Sequence, residues 1–220
     1  RVTLATDPNG NNTTYTLDCF GRPSQTDRPD GGRAITEYYN YTSPTSPQYV
    51  VTRVKEDATH TIDAYTYFDG LGRKIQTISF GEDGKSIVSR LYYDEMGRNY
   101  LTKGPFFSTG TGYPKTPPSI CPWSQTIFDD HSRPSEVKTQ DGTYGTLSIQ
   151  SSYSGLSTTV TDPDGGKKTE KKNYLGKLIQ IIEYNQENGK QVQYHTAYTY
   201  NAAGDMLTVT NHYGNITTIN

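Results

Sequence analysis

A short phrase recurs along this chain and constrains the fold more than any other feature. Tyr67-Phe68-Asp69-Gly70-Leu71-Gly72-Arg73 matches Tyr92-Tyr93-Asp94-Glu95-Met96-Gly97-Arg98. Thr16-Leu17-Asp18-Cys19-Phe20-Gly21-Arg22 keeps the Asp-x-x-Gly-Arg part, and Ile127-Phe128-Asp129-Asp130-His131-Ser132-Arg133 puts Ser in the Gly place. Later copies drift to Asn173-Tyr174-Leu175-Gly176-Lys177 and Asn201-Ala202-Ala203-Gly204-Asp205. The starts, at residues 18, 69, 94, 129, 173 and 201, are irregularly spaced. Repeats of this kind stack on one another to build a continuous core.

Turn chemistry accounts for each position of the phrase. Asp at a strand end accepts hydrogen bonds from backbone N–H groups two or three residues on, making an Asx turn. Gly supplies the left-handed residue that ends such a turn, where a Cβ would cost about 1 kcal/mol or more. Arg opens the return strand, and its guanidinium is expected over a Tyr ring of the outgoing strand, such as Tyr67 or Tyr92. The expected turn residues are therefore Asp18, Gly21, Arg22, Tyr67, Asp69, Gly72, Arg73, Tyr92, Asp94, Gly97, Arg98, Asp129, Arg133, Asn173, Gly176, Asn201 and Gly204.

Between the copies lies a second class of turn. Pro8-Asn9-Gly10, Pro29-Asp30-Gly31-Gly32, Glu82-Asp83-Gly84, Gln140-Asp141-Gly142, Pro163-Asp164-Gly165-Gly166, Glu187-Asn188-Gly189 and Tyr213-Gly214-Asn215 carry hairpin chemistry. Asn-Gly and Asp-Gly suit the two-residue primed turns, with φ > 0 at both central positions. The segments between turns alternate like strands: Val192, Tyr194, Thr196, Tyr198 and Tyr200 share one parity. Ile75 and Ile78 break the period, which predicts a bulge or a shift of facing after the Asp69–Arg73 turn. No stretch carries a helical stripe, so the expectation is an all-β meander of about fifteen antiparallel strands.

Composition narrows the class. The hydrophobic fraction is only 31%, but a net charge of −2 and 19 tyrosines are not the marks of a disordered chain. Mean hydropathy is −0.79, so the sheet faces must be covered by tyrosine rings whose hydroxyls still reach a partner. The charge balance argues against a nucleic-acid partner, and no apolar run is long enough for membrane insertion as a helix. Cys19 and Cys121 form no CxxC motif, and sequence alone leaves open whether they pair.

The copies resemble the YD repeats of the Rhs family, found in bacterial polymorphic toxins, in the C component of insecticidal toxin complexes and in teneurins. The resemblance is most specific at Tyr67–Arg73 and Tyr92–Arg98 and extends from Asp7 to Gly214. It implies β-hairpins forming a curved sheet or a segment of a spiral β-shell, within a secreted or surface-displayed parent. Flanking YD repeats, or an enclosed toxin or cargo domain, are the partners it implies. Full shells of that family are several times longer than this chain, and its Asp-Pro-x-Gly-Leu boundary motif is unmatched: Asp162-Pro163-Asp164-Gly165-Gly166 lacks the Leu.

Two proline-rich breaks interrupt the pattern, at 41–48 and from Gly104 to Trp123. The second divides the chain into a repeat block at 1–103, a loop at 104–122 and a repeat block at 123–220. Prolines deny donors to a sheet ladder, so 104–122 is expected to be a loop. Its rings Phe106, Phe107 and Tyr113, with Trp123, suit a plug folded over the sheet, a binding loop or a linker between blocks. No nucleophile, P-loop or zinc motif occurs, so no catalytic, cofactor or metal residue is assigned. Asp7-x-Asn9-x-Asn11 opens like a calcium loop but lacks the glycine and the glutamate that such a loop needs. The functional expectation is an encapsulating, non-catalytic module. The alternatives are a glycan-binding or adhesive surface, and a filament subunit that self-associates through its sheet edges.

Overall fold

A computed structural model describes residues 2–40, 45–55, 60–81, 84–140, 145–187 and 190–219. It contains no helix among these residues; the architecture is all-β, with eighteen strands. The expected turns at Glu82-Asp83, Asp141-Gly142 and Asn188-Gly189, and the break at 41–44, fall outside the described residues. The chain divides into two compact units, Arg1–Trp123 and Ser124–Asn220.

In the first unit, β1 (Leu4–Thr6), β2 (Asn12–Leu17), β3 (Pro23–Asp27), β4 (Arg33–Tyr39), β5 (Gln48–Lys55), β6 (Thr61–Phe68), β7 (Lys74–Phe80), β8 (Ser86–Tyr93) and β9 (Asn99–Ser108) pair consecutively and antiparallel. Register aligns two rows across one face. One row runs Tyr39, Tyr49, Tyr67, Gln76, Arg90, Lys103, and the next runs Glu37, Val51, Tyr65, Ile78, Val88, Phe106. The second row is the core: Val51, Ile78, Val88 and Phe106 are buried, and Tyr67 and Cys121 close over them. Aromatic rings extend this core sideways. Tyr49 stacks on Tyr39 at 4.8 Å and on Tyr67 at 5.1 Å, so tyrosines do the covering that aliphatic residues do elsewhere.

The expected loop at 104–122 starts later than its prolines suggest. Strand β9 continues through Pro105 to Ser108, because Pro105 falls in a register shift opposite Ser89, where the ladder asks for no donor. Gly104 sits at φ +123°, and a Cβ there would lie 2.6 Å from the Val88 carbonyl. The backbones of β8 and β9 come too close at that point for any side chain.

In the second unit, β10 (Trp123–Phe128, whose first residue belongs to the first unit) leads through the Asp129 turn into β11 (Pro134–Gln140). Strands β11, β12 (Leu147–Ser154), β13 (Ser157–Thr161), β14 (Lys167–Lys172), β15 (Leu178–Glu187), β16 (Lys190–Tyr200), β17 (Met206–Thr210) and β18 (Ile216–Thr218) again pair in order. No described residue of this unit is buried. Its facing rows are hydroxyl-rich; Thr159 and Thr169 meet side by side at 2.8 Å.

Candidate functional site

The two expected turn classes share one backbone geometry. In each, the first residue donates its N–H to the carbonyl of the fifth, and the fourth donates to the carbonyl of the first. Asp69 with Gly72 and Arg73, and Asp162 with Gly165 and Gly166, form the same loop. Only the fourth residue has positive φ, for example Gly72 at 75° and Gly165 at 87°, and Ser132 takes that conformation at 62° in place of Gly. The described Asp-Gly and Asn-Gly turns are therefore five-residue loops, not two-residue primed turns. The two alternatives share their residue signature, and strand register decides between them.

What separates the classes is the strand that follows. After the repeat-phrase turns at 18–22, 69–73, 94–98, 173–177 and 201–205, the return strand carries a bulge. Ser24, Ile75, Tyr100, Ile179 and Leu207 are the extra residues. The turns at 7–11, 28–32, 162–166 and 211–215 continue with no shift. In a consecutive antiparallel meander successive turns alternate between sheet edges, so within each unit the bulged turns share one edge and the unshifted five-residue turns share the other. The bulged edge of the second unit also holds the unshifted turn between Ser154 and Ser157. A bulge increases local twist and re-aims the side chains before it.

On the bulged edge the first residue organises the turn. Asp69 Oδ1 accepts from the N–H groups of Leu71 and Arg73, both at 2.9 Å, while Oδ2 takes Arg73 Nε at 2.7 Å. Asp18 and Arg22, and Asp129 and Arg133, repeat this pattern, and Asp94 holds Arg98 the same way. Asn173 accepts from Leu175 and Lys177, and Asn201 accepts from the Asp205 N–H. The contacts reach two and four residues on. Burial pushes the Asp18, Asp69 and Asp94 carboxyls up, but hydrogen bonds from the Arg backbone and side chain outweigh it and hold them below the usual range. For Asp129 the Arg133 backbone bond is the largest influence, with the same result. The Asp7 carboxylate is likewise taken up by Asn9 and Asn11 of its own loop.

The arginine partner differs from expectation. Tyr67 turns into the core, and Tyr92 lies under Arg90 at 5.1 Å. The turn arginines cross the return strand and stack on a tyrosine of the strand beyond it. Arg22 lies 3.8 Å from the Tyr38 ring, Arg73 4.6 Å from Tyr93 and Arg133 4.2 Å from Tyr153; Lys177 lies 5.7 Å from Tyr200. Each of these tyrosines donates its hydroxyl to the carbonyl just after the stacking cation: Pro23, Lys74, Pro134 and Leu178. Tyr93 immediately precedes Asp94, and Tyr200 precedes Asn201, so one turn is sewn to the next along its edge. Lys177 Nζ even reaches the Gly204 carbonyl at 3.0 Å. For Tyr93 and Tyr200 the aromatic signal is the residue directly before Asp or Asn, one place later than the expected Tyr, whereas Tyr38 and Tyr153 carry no such mark in the sequence.

The second feature is the segment 109–122, which lies over the first unit's core. Tyr113 stacks on Tyr67 at 5.5 Å and faces Arg90 at 5.4 Å. Gln76, fully buried, donates to the Gly112 carbonyl and accepts from the Lys115 N–H; Ser86 donates to Gly110, Tyr67 to Thr111 and Arg90 to Lys115. Phe106 is core, Trp123 is half-buried at the start of β10, and Phe107 is 70% exposed beside Lys85. Of the expected rings, Phe106 and Tyr113 come together and Phe107 points away. Cys121 is buried in the same core while Cys19 is exposed, and both thiols are free.

Beside the tyrosine row, Arg53 bridges Glu37 and Asp63, and Tyr39 donates to Glu37. The Tyr39 hydroxyl, then Arg53, hold the Glu37 carboxyl below its usual range. In the second unit His195 stacks on His212 at 6.4 Å and bonds Gln180, contacts invisible in sequence. No group of three His, Cys, Asp or Glu residues able to hold a metal occurs among the described residues.

Residues 39–153 match the family described as Domain of unknown function DUF6443. The chain belongs to the DUF6443 family. No curated protein matches it in sequence. Among solved structures, the crystal structure of TcdB2-TccC3-Cdc42 shares the fold at 13% identity and a TM-score of 0.69, over 95% of this chain and 16% of that one. TcdB2-TccC3 without its hypervariable C-terminal region is similar at 14% identity and a TM-score of 0.67, with the same coverage of both chains. The resemblance to the C component of toxin complexes, read from the repeats, thus holds for the fold. The DUF6443 chain spans about 16% of the length of these neighbours.

Proposed function

We propose that this chain is a wall segment of a larger YD-repeat shell, secreted or displayed at a surface, with no chemistry of its own. The observation that supports the reading best is the sewn edge. Turn residues that could have served as acid or base are consumed in holding one hairpin to the next: Asp18, Asp69, Asp94 and Asp129 each bind the Arg of their own turn. The likeness to toxin-complex chains supports the same reading, with flanking repeats and an enclosed cargo as the partners of the whole molecule. Limited proteolysis of a longer polypeptide carrying this segment tests it. A resistant 1–220 region is expected, and rapid digestion throughout it would overturn the proposal.

One observation favours a second, adhesive reading. A cleft of about 830 Å³ lies between the turns at 7–11 and 28–32, lined by Tyr15, Thr13, Thr26, Asn11, Arg28 and Asp30. A ring flanked by hydroxyl, amide and charged groups suits a sugar. A glycan array probed with the intact chain would support this reading by hits that Tyr15→Ala removes, and an array with no hits would end it.

A further inference from the structure

Among the described residues, the main chain between Thr109 and Cys121 makes no backbone–backbone hydrogen bond. A surface loop ordinarily satisfies part of its main chain through its own turns. Here the carbonyls of Gly110, Thr111, Gly112 and Lys115, and the Lys115 N–H, are taken by side chains rising from β6, β7 and β8. One aromatic side chain, Tyr113, fills the space between Tyr67 and Arg90. Backbone read by fixed polar groups, with one ring in a pocket, is how a groove holds a peptide ligand. The groove also offers more than this segment uses, since Arg90 Nε is buried without an acceptor.

We propose that the face formed by Tyr67, Gln76, Ser86 and Arg90 is a peptide-recognition groove. Residues 109–116, Thr-Gly-Thr-Gly-Tyr-Pro-Lys-Thr, are its tethered ligand. The same segment of a second copy is the partner that fits it in trans, because the groove reads its backbone and its one ring and nothing that depends on the tether. The clasp therefore opens without unfolding the sheet beneath it, and an opened groove takes up the free peptide.

Two measurements on the full chain test this. In the wild type, the Lys115 amide should exchange with deuterium on the order of ten-fold faster than the Ile78 and Val88 amides, as local opening requires. Equal rates would mean that the segment leaves only on global unfolding, and would overturn the proposal. In fluorescence anisotropy, a labelled 109–116 peptide should bind the Tyr113→Ala chain on the order of ten-fold more tightly than the wild type, whose own clasp competes. The peptide carrying Tyr113→Ala should fail to bind. Peptide binding that is absent from a Tyr113→Ala chain with an intact sheet spectrum, or equal for both chains, would overturn it. Should that variant unfold, the wild-type exchange rates decide alone.

Discussion

The two units share their hairpin strands, their five-residue loop and their sewn edge, yet among the described residues only the first has a buried interior. In the first unit Ile78, Val88 and Phe106 are buried with Tyr67 under Tyr113 of the 109–116 segment, and Val51 is buried as well. In the second, the corresponding rows run through Gln150, Thr161 and Lys167, or Thr159, Thr169 and Ile182, and none of these residues is buried. Turn and register make a sheet in both cases; a dry core needs something laid on its face. The second unit therefore relies on its ladder and its edge for order, while the first adds burial to both.

The largest test of this contrast is truncation at matched isoleucines. Ile78→Ala should cost about 2–5 kcal/mol, because its cavity lies under the clasp. Ile182→Ala should cost about 1 kcal/mol, as for a half-exposed side chain. Denaturant unfolding of each variant measures both, and equal losses would erase the distinction between the units. Asp69→Ala comes next, at about 1–2 kcal/mol, since it strands the N–H groups of Leu71 and Arg73. Asn173→Ala removes the same acceptor without a charge and should cost about 1 kcal/mol. Tyr93→Phe and Tyr153→Phe should each lose about 1 kcal/mol with their bond to a carbonyl. Similar losses in the two units would show that the sewn edge works independently of the core.

Acid gives the smallest and most local effect. The carboxyls of Asp18, Asp69, Asp94 and Asp129 are held below their ordinary value, so their stabilisation is fully present above about pH 4. It is lost as pH falls through the lowered folded value, where protonation removes the acceptor. Asn173 and Asn201 do not titrate. Amide exchange at acidic pH should rise at Arg73 while Lys177 keeps its protection, and parallel behaviour at the two sites would contradict the assignment.

Much of this was legible in the sequence, for local reasons. Asp, Gly and Arg sit within one loop, so their spacing alone predicts an Asx turn. The broken period at Ile75 predicts a bulge or a shift of facing, and a bulge is what occurs. The arginine partner was not legible. Arg73 meets Tyr93 only because β8 lies against β7 in a register that places the end of one beside the start of the other. Nor was the fate of Phe106 and Phe107, adjacent rings that part company because β9 is still a strand there and alternates its faces. The proline count suggested a loop; the position of Pro105 within a bulge decided otherwise.

The sewn edge also has a mechanical consequence. A sheet hemmed along one margin by cation–ring stacks and hydroxyl ties, and left plain along the other, does not peel symmetrically. A pull on a hairpin meets the ladder and a few ring contacts, such as His195 with His212, at the plain margin, and the ladder plus the repeated stitches at the hem. Rupture under load would therefore start at the plain turns and run toward the hem, which would act as the hinge about which a detached hairpin swings and re-seats.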